Sequence, residues 1–174
     1  MLGVLLLFAD GEEYMKLLAM DLSLSCPAFA VVEVLDGVIE IHHLSHLRTK
    51  AGKTHGYRLF EIYNRMVDIY IQFPDIQEVV RERGFSKFPS TTQALFKVVG
   101  TSDICAYKHG FPTVHEITPL EVKKLVTGNG KSDKDKVAKA LKTVYGIENK
   151  FKTDDESDAV AVAIAYFIKK KLLV

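Results

Sequence analysis

The chain has 174 residues, of which 48% are hydrophobic and 26% charged, and its formal net charge is +1. This length and balance predict a single globular domain with a sizeable core. They argue against a membrane protein, because no apolar run approaches the roughly 20 residues that a spanning helix needs. Cys26 and Cys105 are isolated, which favours a reducing compartment over a disulfide framework.

The charge is unevenly distributed. Residues 1–40 hold one Lys and seven acids, whereas residues 41–174 hold 22 Lys and Arg against 15 acids. If some acids bind cations, the remaining surface is basic, which favours a polyanionic partner. The apolar start lacks a basic n-region and a convincing cleavage site, so it is not interpreted as a signal peptide. We expect residues 1–14 to be an accessory extension, residues 15–174 to form one domain, and the protein to be cytoplasmic.

The first half of the chain predicts an antiparallel meander followed by a helix. The meander strands are expected at residues 16–22, 28–35 and 38–47. Asp36-Gly37 between the second and third strands is typical of a two-residue hairpin turn. A polar, basic loop over 48–56 precedes a helix over 57–73, whose apolar residues recur every three and four positions until Pro74 ends it.

The second half alternates helices and strands. A strand is predicted over 78–83, a loop over 85–90, a helix over 91–109 and a strand over 113–117. Thr118-Pro119-Leu120-Glu121 predicts a capping box that opens a short helix ending at Gly128. Ser132 is expected to cap the next helix. The last helix should start near Asp154, and its uncharged middle, residues 159–168, should be buried.

Three antiparallel strands followed by alternating helices and strands predict an α/β fold: a mixed five-stranded sheet with helices on both faces. This order is that of the ribonuclease H-like architecture.

Four acids indicate a divalent-metal site. Asp21 ends a strand of apolar residues, where a carboxylate is expensive to bury unless it is paired. Glu82 lies near the end of another strand, and Asp155 and Asp158 lie three residues apart in the first turn of the last helix, on one face. Carboxylate oxygens are hard ligands that suit Mg²⁺.

Simpler interpretations apply to several neighbouring residues. Acids in a first helical turn complement the helix dipole, and Asp154 and Glu156 are interpreted as doing only that. Asp158 differs, because it shares a stripe with apolar positions. His42 and His46 are interpreted as ordinary sheet histidines.

Five stretches occur in a familiar order. They are Asp21-Leu22-Ser23, Leu47-Arg48-Thr49-Lys50 with the following residues 58–63, Arg81-Glu82-Arg83-Gly84-Phe85, the basic helix and glycine loop over 122–134, and Asp155-Glu156-Ser157-Asp158-Ala159. Together they resemble the RuvC-type Holliday junction resolvases, over about residues 16–168. Ala28 and Ala30 stand where that family often has glycines, and Arg81 replaces an apolar residue. These departures are more typical of a phage-borne or divergent member.

The resemblance implies a metal-dependent, structure-specific endonuclease that nicks four-way or other branched DNA. It implies that Asp21, Glu82, Asp155 and Asp158 are catalytic and hold two Mg²⁺ ions, with Mn²⁺ as an alternative. It also implies catalytic roles for Lys123 and Lys134, which would neutralise the scissile phosphate.

The expected partners are branched DNA and a second copy of the chain, with no membrane and no nucleotide cofactor. The residues expected to contact DNA are Arg48, Lys50, Lys53, Arg58, Phe85 and Lys131. For Phe85, which could stack on a base, packing on the core is an equally good interpretation. The helix at 91–109 is the candidate dimer interface.

Three other functions were weighed. A ribonuclease H-like nuclease acting on RNA or an RNA–DNA hybrid stays open, as does a non-catalytic branched-DNA scaffold, although a scaffold predicts the loss of at least one acid. An actin-like nucleotide-binding domain would need a second domain, for which the chain is too short. Lys131-Ser132 is not a phosphate-binding loop, because Leu125 stands at the first glycine position and a helix precedes it.

Overall fold

A computed structural model describes residues 14–84, 88–148 and 150–173. Its elements, in chain order, are β1 (Tyr14–Asp21), β2 (Ala28–Leu35), β3 (Val38–His46), α1 (His55–Gln72), β4 (Glu78–Glu82), α2 (Pro89–Lys108), β5 (His115–Ile117), α3 (Pro119–Thr127), α4 (Lys134–Thr143) and α5 (Asp154–Lys169). The accessory role expected for residues 1–14 stays a prediction, because only Tyr14 of that segment is described. No helix in the described ranges is long and apolar enough to span a bilayer.

The five strands form one mixed sheet in the order β3-β2-β1-β4-β5. β1, β2 and β3 pair antiparallel, whereas β4 pairs parallel with both β1 and β5. At the β2–β3 turn, Asp36 and Gly37 both have positive φ, +48° and +77°, as a two-residue hairpin requires. The predicted meander and mixed sheet are confirmed, and β1 occupies the centre.

Helices cover both faces of the sheet, as predicted. One hydrophobic core lies between the sheet and α3, α4 and α5, and a second lies between the sheet and α1 and α2. Successive strand residues point to opposite faces. In β1, therefore, Leu17 and Ala19 enter the first core, and Leu18 and Met20 enter the second.

α5 is the most deeply buried helix. Every residue from Ala159 to Phe167 is buried, as the uncharged middle of this segment predicted. Alanines at every second position allow close approach to β1 and β2 on one side and to α3 on another. This packing fixes the first turn of α5 relative to the ends of the central strands.

Helix starts differ from the sequence predictions in three places. α1 begins at His55, because the Thr54 side chain accepts a hydrogen bond from Tyr57 N. α2 begins at Pro89, which was expected in the preceding loop; the fixed φ of proline suits a first helical position. α4 is capped by Asp133, which accepts from Lys136 N at 2.9 Å, and the prediction of Ser132 as the cap is wrong.

Two side chains near α3, the Ser132 hydroxyl and the Glu121 carboxylate, also have hydrogen-bond partners that were not predicted. Ser132 is buried, and its hydroxyl lies 2.7 Å from Thr127 Oγ1, so it is not available to cap α4. Thr118 does cap α3 by accepting from Glu121 N at 3.2 Å. The Glu121 carboxylate, however, accepts from Lys169 Nζ at 2.9 Å and so joins α3 to the end of α5.

Candidate active site

Two acids come together at the carboxyl ends of parallel strands. Asp21 ends β1 and Glu82 ends β4, and the two strands are in register at Met20 and Arg81. The side-chain alternation of both strands places Asp21 and Glu82 on the face covered by α5. Two carboxylates that are distant in sequence are therefore neighbours at one edge of the sheet.

α5 adds a third acid from above the sheet. The Thr153 side chain caps this helix by accepting from Glu156 N, so the first turn starts at Asp154. Asp158, one turn into the helix, lies in the same cleft as Asp21 and Glu82, a cleft of about 270 Å³. The cleft is lined by Asp21, Glu82, Pro119, Val122, Lys123, Lys134, Val137, Asp158 and Ala161.

The carboxyls of Asp21 and Glu82 are strongly perturbed. Burial and, after it, the neighbouring charges of Glu82, Asp158 and Asp155 together raise the pKa of Asp21 to about 7. Burial, followed by the charge of Asp158, likewise raises the pKa of Glu82 to about 7. The site therefore concentrates more negative charge than the surrounding protein neutralises.

Two lysines partly offset this charge. Lys134, the first residue of α4, donates from Nζ to Asp158 Oδ2 at 2.7 Å, and this hydrogen bond raises the pKa of the lysine. The charge of Lys134 lowers the pKa of both Asp21 and Glu82, and that of Lys123 from α3 lowers the pKa of Glu82. Both lysines that the sequence resemblance indicated thus line the acidic cleft.

Asp155 lies on the other side of Lys134, in an adjoining cleft of about 540 Å³. Its neighbours there include Cys26 and Arg48, and the pKa of the Cys26 thiol is raised by burial and by a hydrogen bond to Asp155. Asp155 still acts on Asp21 electrostatically. The four acids therefore form one charge cluster divided between two connected clefts that share Lys134.

The residues expected to contact DNA lie in different settings. Lys50, Lys53 and Lys131 are exposed, and Arg48 is exposed at the rim of the Asp155 cleft. Arg58 is half-buried and donates to Thr49 Oγ1 at 2.8 Å and to Leu24 O at 3.1 Å, so it supports the loop after β1. Phe85 lies outside the described residues.

The interpretation of Glu156 as an acid that only complements the helix dipole is wrong. His46 lies in β3 as expected, but its partner on α5 was not predicted. Glu156 is only 3% exposed, and its Oε1 lies 2.8 Å from His46 Nδ1. Its Oε2 accepts from Lys152 N at 2.7 Å. Burial alone would raise the pKa of Glu156, but these hydrogen bonds outweigh burial and hold it below the usual value. The spacing Thr153-x-x-Glu156, which is typical of a capping box, was the available sequence signal.

The donor set of the acidic cluster fits a divalent cation. It consists of carboxylate oxygens, and burial together with the charges of neighbouring acids raises the pKa of Asp21 and Glu82. A different group of potential ligands, Glu33, Glu40 and His42, brings its atoms within 4.8 Å of one another, which the acidic cluster does not do. In that group Glu33 is already paired with Lys16 Nζ at 3.0 Å, so its charge is compensated.

Comparison with known proteins gives a consistent result. Residues 17–166 match the family model described as "Crossover junction endodeoxyribonuclease RuvC". The protein of that name from Moorella thermoacetica is 31% identical over 152 residues, covering 87% of this chain and 90% of the relative. The protein from Caldanaerobacter subterraneus is 28% identical over 159 residues, covering 91% and 96%.

The fold is also that of solved structures. The structure titled "T. thermophilus RuvC in complex with Holliday junction substrate" superimposes with a TM-score of 0.83 at 20% identity, over 91% of this chain and 96% of that one. A second structure of Thermus thermophilus RuvC gives a TM-score of 0.78 at the same identity. With the family model matching most of the sequence, the chain belongs to the RuvC family of crossover junction endodeoxyribonucleases.

Proposed function

We propose that this protein nicks four-way junctions, or other branched DNA, by metal-dependent hydrolysis of a phosphodiester bond. The observation that carries the proposal is the cluster of four carboxylates and two lysines at one end of the sheet, in a member of the RuvC family. Relatives matched over about nine-tenths of their length are named crossover junction endodeoxyribonucleases. A DNA-acting enzyme of this kind would work in the cytoplasm.

The four acids would hold two Mg²⁺ ions, and Mn²⁺ could replace them. Cations held there would supply activation of the attacking water and stabilisation of the leaving oxygen. Asp21 would contribute to holding both ions, because it ends the central strand and lines the same cleft as Glu82 and Asp158. Since ligand carboxyls must be ionised, and those of Asp21 and Glu82 have pKa values of about 7, cation affinity should rise as the pH increases toward 7.

The lysines of the cleft would act on the substrate phosphate. Lys134 is bonded to Asp158 and also borders the Asp155 cleft, so its ammonium lies between the two groups of acids. Lys123 lines the Glu82 side. In these positions the two charges would stabilise the negative charge that builds up on the phosphate during hydrolysis.

The DNA backbone would follow the basic surface around the clefts. Residues 118–152 hold nine Lys against four acids, a local charge of +5. Arg48 lines the Asp155 cleft, and Lys50 and Lys53 are exposed between β3 and α1. Contacts of this kind track phosphates without reading bases. Affinity should fall by roughly 0.9 log units per phosphate contact for each tenfold rise in salt.

The test of this function is cleavage of labelled DNA. The wild type is incubated with a four-way junction, a flap, a plain duplex and an RNA–DNA hybrid, in Mg²⁺ and in EDTA. We expect nicking of the junction in Mg²⁺ alone. Asp21→Asn should lose at least about 100-fold in rate while still binding the junction, because it removes a ligand without removing packing. Asp68→Asn, which changes an exposed acid of α1 on the other face of the sheet, is the control and should cut normally.

Two results would overturn the proposal. Cleavage by Asp21→Asn at the wild-type rate would show that the acidic cluster does not catalyse the reaction. Preferential cutting of the RNA–DNA hybrid would show that the preferred substrate contains RNA.

We also propose that the protein acts as a homodimer, since two opposed nicks in a nearly two-fold symmetric junction suit a two-fold assembly. α2 offers the surface: Phe96, Ile104 and Tyr107 lie within about 80° of one another around the helix and are 63%, 62% and 72% exposed. Sedimentation should show a dimer that Tyr107→Asp weakens. A wild-type monomer, both free and on a junction, would exclude this assembly.

A further inference from the structure

The first turn of α5 is tied to the sheet by one buried contact. Glu156, which immediately follows Asp155, extends toward β3, where its Oε1 lies 2.8 Å from His46 Nδ1. Its second oxygen accepts the backbone N–H of Lys152 at 2.7 Å. At 3% exposure, this carboxylate cannot be a solvated acid that merely complements the helix dipole.

His46 belongs to the same cross-strand row as Asp21. Asp21 is paired with Ala28, and Ala28 is paired with His46, so the three side chains point to one face of the sheet. The methyl group of Ala28 separates the two longer side chains. The His46–Glu156 contact therefore anchors α5 to the row of residues that presents Asp21 to the acidic cluster.

The first turn of α5 needs such an anchor, because electrostatics oppose its position. Asp155 and Asp158 each act on Asp21 as like charges, which drives the helix start away from the strand ends. Lys134 offsets this repulsion at Asp158, but its side chain is more than half exposed. The hydrogen bonds of Glu156 are more shielded and hold the turn from the opposite side.

We propose that His46 and Glu156 are positioning residues that hold Asp155 and Asp158 at the distance from Asp21 at which the acids can bind a cation together. The inference rests on the proposed function of the acidic cluster and adds a role for two residues outside it. Neither His46 nor Glu156 lines the two clefts, so both act through the placement of α5.

The expected loss is that of a group supporting metal ligands. Removal of such supporting contacts typically lowers metal affinity or activity by about 10–100-fold. His46→Ala and Glu156→Ala should each weaken Mn²⁺ binding by about 10-fold or more and lower kcat on a junction, with KM for DNA little changed. If both act through their mutual contact, the double variant should be no worse than Glu156→Ala alone, which also loses the hydrogen bond from Lys152 N.

A neighbouring histidine provides the control. His43 lies on the same strand, and its Nε2 is 2.7 Å from Ser45 Oγ. Its ring packs against Phe73, with 5.7 Å between the ring centroids, in the core on the α1 side of the sheet. His43→Ala should therefore leave Mn²⁺ affinity and kcat at wild-type values.

The experiment measures Mn²⁺ binding by electron paramagnetic resonance, together with amide hydrogen exchange of the metal-free protein. In His46→Ala, the backbone amides of Lys152 and Glu156 should exchange faster, whereas the amides in the core of α5 should exchange at the wild-type rate. His46→Asn, whose side-chain amide can occupy the position of Nδ1, should restore both readouts if the variant with Ala loses them. It also serves as the informative variant should His46→Ala unfold.

The outcomes separate this inference from the proposed function. Wild-type Mn²⁺ affinity in His46→Ala, an equal loss in His43→Ala, or no rescue by His46→Asn overturns the positioning role. A wild type that binds Mn²⁺ but cuts no junction overturns the proposed substrate, whereas the binding and exchange measurements still decide the role of His46 and Glu156.

Discussion

Asp21→Asn should make the metal-free protein more stable above neutral pH, although it removes the acid at the centre of the site. In the folded chain Asp21 is half-buried and lies near Glu82, Asp158 and Asp155, and both its burial and these charges disfavour its charged form. Asn is nearly isosteric and carries no charge. The substitution therefore removes electrostatic cost while it preserves shape.

The magnitude follows from the pKa. The folded-state pKa is about 7 and the ordinary value is 3.8. At about 1.36 kcal/mol per unit, ionised Asp21 destabilises the folded protein by at most about 4 kcal/mol. Because Asn keeps a polar group in a partly buried place, we expect a net gain of roughly 2–4 kcal/mol. For a chain of this length, that corresponds to a rise in Tm of about 5–10 °C.

The direction of the pKa shift determines the pH range in which Asp21 affects stability. Since the pKa of this acid is higher in the folded state, the folded protein keeps a proton that the unfolded chain releases between about pH 4 and pH 7. Wild-type stability should fall across that interval and be lowest, relative to Asp21→Asn, above pH 7. Below about pH 4 both states are protonated and the two proteins should be equally stable.

The assay is urea unfolding in EDTA at pH 5 and pH 8. We expect the gain at pH 8 to exceed that at pH 5, and the exposed control Asp68→Asn to show no such difference. Added Mg²⁺ should stabilise the wild type more than Asp21→Asn, since only the wild type keeps the full ligand set. Equal unfolding midpoints of wild type and Asp21→Asn at pH 8 would refute the reasoning.

Two further predictions concern charged residues around the site. Joint replacement of Lys123 and Lys134 by Ala should slow junction cleavage at saturating protein, because both lysines line the acidic cleft. Joint replacement of the exposed Lys136 and Lys139 should change only the affinity for DNA and its salt dependence. Equal rates of the two double variants at saturation would show that the first pair contributes only surface charge. Arg81→Met should lower the free energy of unfolding by about 1–3 kcal/mol, because this guanidinium is 6% exposed and bonded to α2 and β5; an unchanged urea midpoint would contradict this.

The strand and the acid at its end were predictable because both signals are local. Apolar residues ending in Asp21 indicate a buried strand whatever surrounds it, and the i, i+3 spacing of Asp155 and Asp158 holds in any helix. The alternation of elements then indicated the mixed sheet. Helix starts were less predictable, because adjacent Ser132 and Asp133 are both good caps, and only the burial of Ser132 decides between them.

Partners that are distant in sequence could not be predicted. Glu156 has the composition and position of an ordinary first-turn acid, and only the packing of α5 on the sheet brings it to His46, 110 residues away. Arg81 likewise departs from the apolar residue expected before Glu82. The folded structure explains why Arg81 is accommodated there, because it has hydrogen-bond partners on two other elements. These partners are Ser102 and Asp103 on α2 and Glu116 on β5.

The position of α5 in the chain has a consequence during protein synthesis. Asp21 belongs to the first described strand, whereas Asp155 and Asp158 belong to the last described helix, so Asp21 is synthesised well before the other two acids. A nascent chain that lacks α5 has Asp21 and Glu82 but neither Asp155 nor Asp158, and it lacks the most deeply buried helix of one core. The acidic cluster would therefore be incomplete until α5 docks on the sheet.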